Sequence, residues 1–359
     1  MNTEQLEKAL MATIVARQPT FIWGPGGIGK SDVVHQVSAK YGAAMEDNAM
    51  EYEINMRNRV ALLMDNNPHL IDVRASQMDP TDVRGLPKID GDYAKWLPPD
   101  EFPREGRDPK HGVLFLVEFP DAPPLVKGAL YRLTLDRKVG DYTLPNGWAV
   151  VAAGNRQEDG GLYSRMPLPL LNRFTHIELE VSVNTWRKWA IHHLIPEIVQ
   201  YISWRPDSLY IPPKSDGKDK AFPTPRSWEF ASRLVETMQK MSIDKDVELE
   251  LLSGTIGQAE AIELVGFLRI FRELPNPDAI LMNPDTSDIP DKPEVLYALV
   301  GALSHRATKN NAGRIIKVAE RLPLEFNIMM IRDCIEKSDE FTQAPEFSQW
   351  TTEHHDDLS

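Results

Sequence analysis

Cysteine is almost missing from this chain. Cys334 is the only one in 359 residues, so no disulfide can close within the chain and no cysteine cluster can hold a metal. That economy fits a reducing, cytoplasmic setting. Long apolar runs are missing as well. No stretch approaches the roughly 20 residues that a helix needs to cross a bilayer. The opening MNTEQLEKAL is amphipathic and acid-bearing, with no apolar signal segment. Positive charge is in short supply: 40 Lys and Arg stand against 53 Asp and Glu, a formal net charge of −13. Proteins that coat nucleic acid neutralise phosphates with Lys and Arg, so this balance argues against such a partner. The densest basic stretch, Lys214 to Arg226, is itself diluted by Asp216 and Asp219. The pairs His192-His193 and His354-His355 have no third or fourth ligand at metal spacing and read as structural or solvated.

What is present is ordinary for a soluble globular protein: 42% hydrophobic and 26% charged residues, in a length that suits two domains. The pattern divides the chain. Leu6, Leu10 and Ile14 share one helical face. A brief apolar strand, Thr20 to Trp23, runs into a glycine-rich loop, and a helix follows from Ser31 to Tyr41. Glu51 to Met56 alternates as a second strand would. Residues 72–110 are rich in Pro, Gly and Asp and read as loops and insertions. Val113 to Val117 is the continuous apolar run of a strand covered on both faces. A helix over Leu125 to Leu135, a hairpin over Lys138 to Gly147, and strands over Trp148 to Ala153 and Phe174 to Val181 complete this half. Beyond residue 184 the periodicity is helical only, as in Thr185 to Tyr201. The pattern predicts an α/β domain with a parallel sheet between helices over 1–183. An all-helical domain over 184–341 and a flexible tail over 342–359 follow.

The glycine loop reads Gly24-Pro25-Gly26-Gly27-Ile28-Gly29-Lys30-Ser31, which matches G-x-x-x-x-G-K-S/T. Glycines let the backbone curl so that successive N–H groups point at phosphate oxygens, and the helix starting near Lys30 adds its positive end. Lys30 would reach the β- and γ-phosphates of ATP, and the Ser31 hydroxyl would bind Mg²⁺. Gly24, Gly26 and Gly29 also fit the dinucleotide pattern G-x-G-x-x-G, with Asp47 or Glu51 as the downstream acid. A dinucleotide site, however, has no use for Lys-Ser after its third glycine.

Hydrolytic sites of this kind end an apolar strand in Asp-Glu, the Asp for the metal's water shell and the Glu for the attacking water. Here the strand ends Val117-Glu118, so the Asp position holds valine; Asp121 lies in the loop beyond. Asn155 closes the strand Val150-Val151-Ala152-Ala153-Gly154, where a neutral amide can hold the water or the γ-phosphate without titrating. Arg173 stands just before an apolar strand, and Arg226 in the first turn of a helix that Thr224 caps and Pro225 begins. A guanidinium at either place can neutralise charge on a transferring phosphoryl group. Arg165 is a second choice for the role of Arg173.

In this order the motifs resemble the AAA+ ATPases, specifically the MoxR type, from the phosphate loop to Thr224-Pro225-Arg226-Ser227. The resemblance makes Lys30 and Ser31 part of Walker A, Glu118 the Walker B glutamate and Asn155 sensor 1. It makes Arg173 the finger that enters a neighbouring subunit's site and Arg226 sensor 2. Asp79 to Gly85 is similar to the segment leading into that family's helix-2 insertion, and Lys138 to Gly147 to its hairpin before sensor 1. It implies a homo-oligomeric, hexameric ring that remodels or activates a client protein. A von Willebrand factor A domain protein often serves as partner. Val117 departs from the family. It leaves a second class open, an ATP-binding assembly module that turns over poorly. A third class, a nucleic-acid motor or loader, runs against the acidic balance.

Overall fold

The computed structural model describes residues 1–46, 67–156, 159, 166–213 and 219–354. They form two compact units, Met1–Val181 and Ser182–Ser359. The strand anticipated over Glu51 to Met56 lies outside the described residues, as do Asp47, Glu51 and Arg165.

The first unit is a mixed α/β layer structure. Helix α1 (Thr3–Val15) starts at an Asn2 capping box and buries Leu6, Leu10 and Ile14. Strand β1 (Thr20–Trp23) leads to helix α2 (Lys30–Glu46), and then come β2 (Leu70–Arg74), α3 (Pro80–Arg84), β3 (Leu86–Asp90) and β4 (Tyr93–Leu97). Next are β5 (His111–Val117), α4 (Pro124–Asp136), β6 (Lys138–Val139), β7 (Tyr142–Thr143), β8 (Gly147–Gly154), α5 (Leu168–Leu171) and β9 (Thr175–Glu178). Among the described residues, five strands form one sheet in the order β2-β5-β8-β1-β9. Every neighbouring pair is parallel. The inner strands β5 and β8 are covered on both faces, which is why they read as unbroken apolar runs. Leu114, Leu116, Val150 and Ala152 join Val126, Leu130 and Leu133 of α4 in one core.

The region read as loops from residue 72 holds more order than its composition promised. Strand β2 is an edge strand with only Val73 buried, so burial imposes little apolar pattern on it. Strands β3 and β4 form a hairpin of their own, turned at Gly91 (φ 63°), and expose Leu86, Ile89, Tyr93 and Leu97. Trp96 is only half-exposed, and its backbone N–H donates to Asp141 Oδ2 at 2.8 Å.

The second unit is helical throughout its described residues, apart from short 3-10 turns and connections. Its helices are α6 (Val183–His193), α7 (Pro196–Trp204), α8 (Pro225–Met241), α9 (Lys245–Ile256), α10 (Gln258–Arg272) and α11 (Pro277–Met282). They continue with α12 (Pro293–Ser304), α13 (Ala312–Ala319), α14 (Leu324–Lys337) and α15 (Pro345–Glu353). The helical stretch read over Thr185 to Tyr201 forms two helices that part at Leu194-Ile195, because Pro196 bars the preceding residue from helical backbone. A flexible tail from residue 342 is not what the structure shows. Helix α15 lies there, and Trp350, 1% exposed, packs into the same core as Leu299, Ile315 and Phe341. Burying a large apolar side chain contributes about 1.5–3 kcal/mol, enough to hold a short terminal helix down. Among the described residues no helix is long and apolar enough to cross a membrane.

Candidate nucleotide site

Parallel strands deliver their C-terminal ends to one edge of a sheet, and in open α/β folds that edge is where ligands bind. Here the edge carries the glycine loop after β1, Glu118 after β5, Asn155 after β8 and Ser76 just beyond β2.

The loop has the backbone that its glycines permit. Gly24, Gly27 and Gly29 sit at φ 153°, 76° and 91°, where L side chains are rarely found. A Cβ on Gly24 would come within 2.8 Å of both Ile28 Cδ1 and the Leu179 carbonyl oxygen, so only glycine fits beneath the loop. Ile28 is buried and roots the loop in the core, whereas Gly26 is exposed and faces open space. Helix α2 begins at Lys30, which places its first-turn amides at the end of the loop. Ser31 is half-buried in that turn.

Lys30 ties the loop to a distant strand. Its ammonium donates to the carbonyls of Gly24 and Pro25, the latter at 2.7 Å, and to Asn155 Oδ1 at 3.0 Å. The lysine and the amide are 125 residues apart in the chain. Glu118 follows β5 in the left-handed region, φ 55° and ψ 36°, a conformation that costs a non-glycine residue roughly 1–3 kcal/mol. Its carboxylate accepts a hydrogen bond from Ser76 Oγ at 2.5 Å. Ser76 was invisible in the sequence, because it is one serine in a segment read as loop, and the contact needs β2 beside β5. Val117 is half-buried and sits opposite Arg74 in the register, so no carboxylate occupies that strand end. Asp121 closes the 3-10 turn Phe119–Asp121; burial and the nearby Glu118 charge push its pKa up, while Lys127 pulls it down.

No protein-family model matches the chain, and no curated protein sequence is significantly similar to it. Solved structures do resemble it. NtrX of Brucella abortus is 15% identical over 93% of this chain and 68% of that one, with a TM-score of 0.35. A candidate ATPase of Cytophaga hutchinsonii is 13% identical, covers 92% and 80%, and scores 0.33. A mutant form of RuvB from Thermotoga maritima is 16% identical, covers 84% and 83%, and scores 0.35. Scores this low leave the reading of the site to its own geometry.

The arginines take up two different settings. Arg173, between α5 and β9, lies with its guanidinium carbon 4.3 Å from the ring centre of Tyr131 and donates from Nε to the Pro169 carbonyl at 3.0 Å. Its Nη1 is buried and meets no acceptor among the described residues. Arg226 belongs to the second unit, exposed in the first turn of α8, whose cap is Thr224 and whose first residue is Pro225. There it lines an open groove of about 690 Å³ with Lys220, Phe230 and Arg233. Among the described residues no group of His, Cys, Asp and Glu could by itself hold a metal ion. His193 stacks on Trp189 and His354 on Trp350, in line with structural roles.

Proposed function

We propose that this chain binds ATP on the loop Gly24 to Ser31 and hydrolyses it slowly, as one subunit of a homo-oligomeric ring of the MoxR type that remodels a client protein. The observation that carries the reading is the Lys30–Asn155 contact. It brings a point charge suited to the β- and γ-phosphates against a neutral amide suited to the γ-phosphate or the water, at the edge where Glu118 also stands.

Each residue then has a task. The loop amides and the start of α2 hold the phosphates. Lys30 neutralises charge as the terminal phosphoryl group leaves. Glu118, set by Ser76, orients the attacking water and takes its proton, while Asn155 fixes the water or the γ-phosphate. Mg²⁺, when bound, offsets charge on the phosphoryl oxygens. The residues here suit it, since magnesium is held mostly by phosphate oxygens and water with few protein ligands, and Ser31, in the first turn of α2, would supply one hydroxyl. Support for the ring comes from the family resemblance and from Arg173, whose Nη1 meets no acceptor among the described residues. To reach a neighbouring copy the guanidinium must leave Tyr131, a cation–π contact worth about 0.5–1 kcal/mol at an exposed site. Support for a client comes from the hairpin β3–β4, where Ile89 and Tyr93 are 83% and 79% exposed.

Glu118→Gln tests the reading. The variant is expected to bind ATP like the wild type and to hydrolyse it about 10²–10⁴-fold more slowly, because the general base is gone and its shape remains. Steady-state phosphate release beside equilibrium ATP binding measures both. Undiminished hydrolysis by a well-folded variant would remove Glu118 from the mechanism.

Val117 favours a second reading, an assembly module that binds ATP and turns over poorly. The two part on Val117→Asp. A carboxylate at this strand end would accept hydrogen bonds from the metal's water shell and place the ion, a matter of the chemical step more than of binding. Val117→Asp is expected to raise kcat and to lower the Mg²⁺ concentration needed for half-maximal activity, at some cost in stability without metal. Hydrolysis is followed against Mg²⁺, with folding checked by thermal melt in ATP. If a well-folded Val117→Asp protein is no faster at any Mg²⁺ level, Asp121 becomes the next residue to replace.

A further inference from the structure

Lys127 is the oddest residue near the site. It is 3% exposed, although lysine is among the residues least often buried. It lies in the first turn of α4, at the helix end where a cation is disfavoured. Both choices cost stability, so something must offset them.

Its contacts show what. Lys127 Nζ donates to the carbonyl of Pro120 at 2.5 Å. Burial lowers the pKa of Lys127, and the Asp121 carboxylate opposes that shift. Both partners belong to the turn Phe119–Asp121, which starts at Glu118 and is closed by the Asp121 N–H on the Glu118 carbonyl at 3.0 Å. The other side of the turn rests on β8. A Cβ added to Gly154 would stand 2.2 Å from Pro120 Cδ, so the proline ring lies directly on that backbone, one residue before Asn155. A rarely adopted backbone such as that of Glu118 persists only where its surroundings hold it.

We propose that Lys127 is a positioning residue for Glu118: its ammonium pins the Phe119–Asp121 turn onto Gly154, and so sets the glutamate in register with Asn155 and Lys30. Ser76 holds the carboxylate and Lys127 holds the backbone beneath it. The proposal rests on the hydrolytic reading of Glu118, and it adds a residue that acts through the backbone of the turn.

Lys127→Met keeps the apolar stem and removes the ammonium. The variant is expected to bind ATP within about twofold of the wild type while kcat falls about 10–100-fold, the scale at which a displaced catalytic group is felt. Hydrogen exchange should quicken at the amides of Asp121 and Ala122, which close the turn, and stay unchanged in β5. In Lys127→Ala, ethylammonium chloride should restore part of the lost kcat, and sodium chloride at equal ionic strength should not. Wild-type kcat in a well-folded Lys127→Met protein would overturn the proposal. So would parallel loss of ATP binding, melting temperature and activity without rescue by the amine, which marks a purely structural lysine. Glu118→Gln separates the two levels. If it hydrolyses ATP normally, the hydrolytic reading falls and takes this proposal with it. If it is inactive while Lys127→Met is fully active, only the proposal falls.

Discussion

Arg173→Ala is expected to bind ATP as the wild type does and to hydrolyse it about 10³–10⁵-fold more slowly, the contribution that an arginine reaching a transferring phosphoryl group makes in related systems. The resting side chain explains why binding should survive. Its guanidinium lies on Tyr131 and the Pro169 carbonyl, so removing it disturbs a local, half-buried contact and leaves the phosphate loop alone. The melting temperature should therefore change little. Mixing Arg173→Ala with Lys30→Ala subunits provides the sharper measurement. In mixed rings some sites pair an intact loop with an intact arginine from the neighbour, and partial activity should return. No recovery in rings confirmed to be mixed would mean that Arg173 acts within its own subunit or not at all.

Lys30→Ala should lose ATP binding itself. The ammonium is the one charge on the loop, and it is already gathered by the carbonyls of Gly24 and Pro25 and by Asn155, at the place where the β- and γ-phosphates would lie. The backbone amides alone would have to hold a polyanion. Calorimetric titration with ATP reads the loss directly. A thermal melt supplies a second reading, since a ligand at 100 times its Kd stabilises the folded state by about 2.7 kcal/mol. The wild type should melt higher in ATP and the variant should not. Tight ATP binding by Lys30→Ala would refute this assignment of the loop. Because Lys30 also holds Asn155, the variant's melting temperature without nucleotide shows how far that contact steadies the sheet edge.

The two arginines differ in how far a sequence can speak for them. Arg226 sits behind a Thr-Pro start signal, and the structure places it in the first turn of α8 as that signal predicts. Arg173 was located by its place before a strand, yet nothing in the sequence foretells that it rests on Tyr131 of α4. The strands follow the same division. β5 and β8 are central and covered on both faces, so their apolar runs announce them. β2 is an edge strand with one buried residue and left no such trace. The hairpin β3–β4 faces solvent and carries no inward period to detect.

The sequence by itself determined the glycine loop and its ends. The shape of that loop depends on glycine conformations and on a helix start, both set by residues adjacent in the chain. It also determined that Val117 stands where an aspartate would serve, and that sheet gives way to helices. Only the tertiary structure decided how the pieces meet. Lys30 finds Asn155 across 125 residues, Glu118 finds Ser76 across 42, and Lys127 finds the carbonyl of Pro120 beside Gly154. These contacts follow from strand order. The order β2-β5-β8-β1-β9 places β8 beside both β1 and β5, although long stretches of chain separate them. Local periodicity records which residues are buried and is silent on which strand lies next to which, so the site's partners emerge only when the sheet is assembled.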